Sequence, residues 1–212
     1  MKFDLAMTDE LLATTRAVRK RLDLERPVSR ATILECLELA IQAPSGGNRQ
    51  TWRWMIVDDA ALKAAIAEIY KAEAVKYFEQ AGAEEASKHN DQVARIYSSS
   101  SWLAENLGRV PAFVIPCVEG QPDADPRPFM ISAYYGSIFP AIWSFQLALR
   151  ARGMGSTLTT LHLNQERRVA EMLGIPDGVA QIALLPVAYT KGTDFKRASR
   201  LPAETVAHWN SW

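Results

Sequence analysis

Three separated stretches of this sequence carry side chains suited to holding an anionic ligand rich in hydrogen-bonding groups. The first is Thr15-Arg16-Ala17-Val18-Arg19, the second Ala43-Pro44-Ser45-Gly46-Gly47-Asn48-Arg49-Gln50, and the third Lys196-Arg197-Ala198-Ser199-Arg200-Leu201-Pro202. Arginine fits such a task because its planar guanidinium presents paired donors to two phosphate oxygens and keeps its charge. Each stretch taken singly also has a plainer explanation. Arg16 and Arg19, three apart, read as the solvated face of a helix. The loop reads as a tight connection in which Gly46 and Gly47 take positive backbone angles. The tail cluster reads as a solvated basic patch.

Other chemistry finds little support. His89, His162 and His208 lie far apart, and none stands at ligand spacing from a carboxylate or cysteine, so no metal site is expected. Cys36 and Cys117 sit in apolar stretches and read as reduced, buried thiols, with neither a disulfide nor a catalytic thiolate expected. There is no G-x-S-x-G elbow, no phosphate loop and no G-x-G-x-x-G turn, since Gly153-Met154-Gly155 runs on into Ser-Thr-Leu. The 24 Lys+Arg balance 24 Asp+Glu, which leaves no global field for nucleic acid. With 48% apolar and 23% charged residues and no long uncharged apolar run, the chain of 212 residues reads as one soluble domain without a membrane span. The acids Asp4, Asp9 and Glu10 argue against a signal peptide, and the cytoplasm is the expected compartment.

The elements that must position these groups follow from periodicity. A helix over 8–21 starts at a Thr8 cap, and a second, capped by Ser29, stops before Pro44. Residues 52–57 form a strand closed by Asp58-Asp59, and a helix runs from about Ala60 to Tyr70. Residues 71–109 read as a helical excursion. A strand covers 111–118, and a Pro/Asp-rich loop covers 120–128. Ser132 to Arg152 is a helix apolar nearly all round, which places it in the core or at a subunit interface. A short strand follows at 156–160, then a helix capped by Asn164 and stopped at Gly174, and a last strand over 181–189. The class is α+β, with no repeated βαβ period.

In combination and order, these segments resemble the nitroreductase family of FMN enzymes across nearly the full length. The opening motif is similar to Thr15-Arg16-Ala17-Val18-Arg19. The signature loop Ala-Pro-Ser-x-x-Asn-x-Gln-Pro-Trp is similar to Ala43 through Trp52. The Ala-Arg-Gly-Met-Gly-Ser156 helix end, Leu173-Gly174-Ile175-Pro176 and Arg200-Leu201-Pro202 recur in the family's order. The resemblance implies a central mixed sheet flanked by helices in an intertwined homodimer, with FMN at the subunit interface. It implies NADH or NADPH as reductant and a small organic acceptor such as a nitroaromatic or quinone, in ping-pong turnover with no catalytic acid or base on the chain. Relatives on the same fold carry out dehalogenation, dehydrogenation or flavin destruction, and a non-catalytic FMN binder is a further alternative.

The implied cofactor contacts are Arg16, Ala17, Val18 and Arg19 at the phosphate and ribityl chain, joined by Arg200 with Lys196 or Arg197. Pro44, Ser45, Gly46, Asn48 and Gln50 fall on the loop that meets the flavin ring from the other subunit. Thr159, Thr160 and Leu161 fall where backbone groups flank the ring. Tyr97 and Trp102, in the excursion, are candidate substrate-stacking residues, with simple packing as their plainer role. Three positions depart from the family pattern: Ala17 replaces a serine and its hydroxyl, Thr51 replaces the proline before Trp52, and Ala188 stands where glycine is common.

Overall fold

Strand β2 (Ala112–Glu119) is the axis of the fold. It sends Phe113, Ile115 and Cys117 into one buried cluster and Ala112, Val114 and Val118 into another. This is the two-residue alternation of a pleated strand covered on both faces. In the computed structural model the described residues are 2–120, 125 and 127–212, so the stretch expected as an exposed loop at 120–128 lies largely outside them. Strand β1 (Trp52–Val57) pairs with one edge of β2. The other edge is shared by β4 (Val179–Gln181) and β5 (Leu185–Tyr189), and β3 (Met154–Gly155) pairs with β5. Every ladder among the described residues is antiparallel, and the parallel pairing is a single bridge, Gly120 with Val179. The expectation of a mixed sheet is corrected accordingly: β1 to β2 and β3 to β4 reverse direction, and β2 and β3, which run the same way, are kept apart by β5.

Helices α2 (Arg30–Ala40) and α6 (Pro128–Ala151) cover one face of the sheet, and α3 (Ala60–Gln80) and α5 (Asp91–Asn106) cover the other. Phe113 and Phe145 are fully buried on opposite faces. Burying a side chain of that size stabilises the fold by roughly 1.5–3 kcal/mol. Ser29 caps α2 as its sequence indicates, accepting from the Thr32 amide, and Asp59 caps α3 through the Leu62 amide. That helix runs ten residues past Tyr70, into the excursion, which continues through α4 (Ala83–His89) and α5. Among the described residues no helix is long and apolar enough to cross a membrane.

The largest local difference bears on function. Helix α1 (Leu5–Thr14) starts earlier than expected, capped by Asp4, and ends at Thr14, so Arg16 and Arg19 are not on a helix. The chain is extended from Thr15, turns at Arg19–Leu22, where the Leu22 amide donates to the Arg19 carbonyl at 3.0 Å, and lies on the sheet edge. The Val18 amide donates to Ser156 at 2.9 Å, the Asp23 amide donates to Tyr189 at 2.8 Å, and Leu22 bridges Thr190. Those long-range bonds satisfy backbone groups that a helix would otherwise have paired locally. Gly155 permits the approach, since a Cβ there would stand 2.9 Å from side-chain carbons of both Val18 and Thr190. The short strand expected at 156–160 is instead β3 plus a bridge from Thr159 to Leu184, and the last strand is split between Gln181 and Leu185 into β4 and β5. Helix α7 (Glu166–Leu173) begins after a 3-10 turn at Leu161–Gln165, and Asn164 does not cap it. Its side chain donates instead to Glu73.

Candidate functional site

The fold joins two of the three basic segments. Arg16 Nη1 donates to the backbone carbonyl of Lys196 at 2.9 Å, which ties the start of the chain to its tail. Ala17, Arg19, Arg21 and Phe195 line a small cleft of about 180 Å³ together with Ser99 of α5. Lys20 reaches the same helix, with Nζ donating to Ser98 Oγ at 2.7 Å. Arg19 is the group that stands out. Its side chain is partly buried, and among the described residues no hydrogen bond or ion pair reaches its guanidinium. Burial holds its pKa below the usual arginine value, partly offset by Tyr70. A desolvated cation without a counter-charge is costly and is stabilised by any anion that enters.

Thr159 belongs to the same neighbourhood, because its hydroxyl is 2.9 Å from that of Tyr70, whose own ionisation burial pushes upward. Thr160 is exposed at the start of the 3-10 turn, and Leu161 packs on the core cluster beneath. Arg197 and Arg200 are exposed, and Arg200 Nη1 bonds only the neighbouring Ser199 carbonyl. The tail backbone is therefore brought to Arg16, while these two guanidiniums are not. Sequence reasoning missed Tyr70, Lys20 and Arg21. Arg19 and Arg21 reach one cleft through the turn at Arg19–Leu22, which their spacing of two does not announce.

The loop expected to bind the same ligand lies elsewhere in the protomer. Ser45, Gly46 and Arg49 line a separate cleft of about 590 Å³ with Phe129, Tyr134 and Ser137 of α6. The Gly46 amide donates to Ser137 Oγ at 2.9 Å, the Gln50 amide to Ser45 Oγ at 3.2 Å, and Gln50 Nε2 to Asn48 Oδ1 at 3.0 Å. Positive φ falls on Gly47, Asn48 and Gln50, and Gly46, expected to need it, does without. For Gln50, a residue with no special tolerance of that region, such a conformation costs on the order of 1–3 kcal/mol, the kind of strain held at binding sites. Pro44 is exposed beside it.

Tyr97 lines a third cleft, of about 340 Å³, between α3 and α5. There it meets Phe78 edge-on, with centroids 5.2 Å apart. Trp102 packs against the core, its plainer role. Burial pushes both thiols up, Cys117 to about 12, so neither is a thiolate at neutral pH. Among the described residues no group of His, Cys, Asp and Glu is placed to hold a metal ion.

His162 is fully buried directly after the Thr159–Leu161 run, with neither ring nitrogen in hydrogen-bond geometry. Burial lowers its pKa to about 4, and Gln181, alongside but not in bonding geometry, opposes that shift weakly. The unfolded chain protonates His162 near pH 6.5, and the folded chain resists protonation down to about 4. Stability is therefore lost as pH falls through that window, on the order of 2 kcal/mol by pH 5. Urea midpoints at pH 7 and 5 should differ accordingly in the wild type and much less in His162→Leu. An equal acid loss in both proteins would exclude His162 as its source.

The architecture is the nitroreductase-like α+β fold. The crystal structure of oxidised iodotyrosine deiodinase bound to FMN and 3-iodo-L-tyrosine matches with a TM-score of 0.72 at 23% identity, covering 95% of this chain and 98% of that one. The FMN and NADPH-dependent nitroreductase NfnB from Sphigopyxis sp. strain HMH matches with a TM-score of 0.69 at 21% identity, covering 96% and 99%. An NADH dehydrogenase of Thermus thermophilus is 30% identical over 215 residues, spanning 94% of this chain and 97% of its own. The family model described as Nitroreductase family matches residues 12–189. The chain belongs to the nitroreductase family.

Proposed function

We propose that the chain is an FMN-dependent oxidoreductase, working as a homodimer, that takes reducing equivalents from NADH or NADPH and delivers them to a small organic acceptor such as a nitroaromatic or quinone. The observation that carries this reading is Arg19, a partly buried guanidinium with no acceptor of its own, in a cleft with Lys20 and Arg21. Such a donor set fits the phosphate of FMN. The names of its relatives support a flavin with a nicotinamide reductant, since one is an NADH dehydrogenase and another an FMN and NADPH-dependent nitroreductase.

FMN, when bound, supplies the hydride chemistry. The chain supplies the rest. Arg16 and Arg19 would hold the FMN phosphate, with Arg197 and Arg200 as further cations for it. The backbone of Ala17 and Val18 follows the ribityl chain, and Ala17 contributes no hydroxyl. Thr159, Thr160 and Leu161 border the ring. The strained loop, with Pro44, Ser45, Gly46, Asn48 and Gln50, completes the site from the second subunit, which accounts for its separation from Arg19 within one protomer. Tyr97, on the excursion, borders the acceptor side.

The purified protein should be yellow, should bleach on anaerobic addition of NADH or NADPH, and should regain its colour with a nitroaromatic or quinone. Initial rates should give the parallel lines of alternating substrates. A colourless preparation that also takes up no added FMN overturns the reading, and a yellow one inert to both nicotinamides reduces it to a flavin binder. The match to iodotyrosine deiodinase favours a second reading in which the acceptor is a halogenated aromatic. Iodide release from 3-iodotyrosine under reducing conditions separates the two.

A further inference from the structure

The tail that carries Lys196, Arg197 and Arg200 is held by a clamp on the residue just before it. The guanidiniums of Arg21 and Arg150 both lie over the ring of Phe195, 4.2 and 4.7 Å from its centroid. Each also grips the backbone leading to that ring. Arg21 Nε donates to the Lys191 carbonyl at 2.9 Å, and Nη2 meets Asp194 Oδ1 at 2.6 Å. Arg150, in the last turn of α6, donates through Nη2 to the Thr193 carbonyl at 2.9 Å and lies 3.3 Å from Thr14 Oγ1. The stretch 191–195 is thus pinned to α1, α6 and the turn at Arg19–Leu22 after α1. Arg16 fixes the following residue through the Lys196 carbonyl. Beyond Lys196 the chain is exposed, and Arg197 and Arg200 make no long-range bond. The direction in which those two cations leave the protein surface is therefore set at Phe195.

From this geometry we infer that Arg21, Arg150 and Phe195 are positioning residues that give the site its preference for a phosphate-bearing flavin over one without the phosphate. The inference rests on the FMN reading above. None of the three needs to touch the flavin. They act by anchoring the stretch that leads into Lys196, Arg197 and Arg200, whose start Arg16 already holds, so that less ordering remains to be done when the phosphate binds. Two like-charged guanidiniums share one ring because Asp194 offsets Arg21 and the aromatic face attracts both cations.

The test titrates FMN and riboflavin, by flavin fluorescence, into full-length protein freed of flavin. Phe195→Leu removes the ring face but keeps an apolar side chain on a surface segment, and Arg150→Met keeps the stem without the charge. Both should weaken FMN by about tenfold and leave riboflavin within about twofold, whereas Phe195→Tyr, which restores the ring face, should return FMN binding to the wild-type value. If Arg150→Met fails to fold, Phe195→Leu and its tyrosine rescue carry the test alone. Unchanged FMN affinity in Phe195→Leu overturns the inference, as do equal losses for FMN and riboflavin, which indicate general loosening. Wild-type protein that binds no FMN, or binds both flavins alike, fails the FMN reading first and the clamp with it.

Discussion

Arg19→Ala is expected to weaken FMN binding by about ten- to a hundredfold while leaving the flavin-free protein as stable as the wild type or slightly more so. The two halves of that expectation have one cause. In the flavin-free chain the guanidinium is partly desolvated, its pKa lowered by burial, and it meets no carboxylate. Removing it there removes a cost. With a phosphate in place the same group makes a charge-assisted contact worth roughly 1.5–3 kcal/mol, which converts to the stated loss of affinity. Arg16→Ala should cost less selectively, because its Nη1 also holds the Lys196 carbonyl and its loss loosens the tail. Riboflavin should bind the wild type poorly and lose little further affinity in Arg19→Ala. Fluorescence titration with both flavins, beside urea unfolding of the flavin-free proteins, checks this. Loss of stability without flavin would make Arg19 structural, and equal losses for both flavins would move the phosphate elsewhere.

Phe139→Glu combined with Trp143→Glu should turn the protein into a monomer that no longer retains flavin. Helix α6 buries Ile138, Ala141, Ile142, Phe145 and Leu149 against its own sheet and α2. Its other side carries Ile131, Tyr135, Phe139 and Trp143, four apart and about 40% exposed, at 39%, 41%, 41% and 43%. A four-residue step keeps these on one stripe of the helix. An exposed apolar stripe of this extent marks an association surface. Aromatic anchors at the centre of such surfaces are each worth about 2 kcal/mol or more, so the pair should raise the dimer dissociation constant at least about a thousandfold. An isologous interface repeats each substitution and deepens the effect. Flavin should leave with the subunit contact, because the loop at 43–50 lines a cleft beside the first turns of this helix, away from Arg19. Light scattering with absorbance across a dilution series reads both quantities. A mutant that stays dimeric, or a monomer that keeps FMN as tightly as the wild type, overturns the shared-site reading.

Much of the architecture was legible because it depends on local signals. The caps Ser29 and Asp59, the αL glycines Gly153 and Gly174, the alternation along β1 and the continuous apolar run of β2 act within a few residues of themselves. The all-round apolar pattern of α6 already required burial on two sides. The order of the motifs around Arg16, Ser45 and Arg200 indicated the family, which the match over residues 12–189 bears out.

What only the tertiary structure decided lies where distant backbone groups compete with local propensity. Helical spacing favoured Arg16 and Arg19 on a helix face. The sheet edge at Ser156 and Tyr189 prevailed over it, because hydrogen bonds formed across more than a hundred residues leave no periodic trace in the segment that makes them. The same physics split the last strand between Gln181 and Leu185, ended α1 at Thr14 and sent Asn164 to Glu73 instead of to a helix cap. It also placed Tyr70 against Thr159 and Phe195 beneath Arg21 and Arg150. Residue type announced that this chain holds cations for an anion, but which guanidinium is left desolvated and unpaired is a property of packing alone.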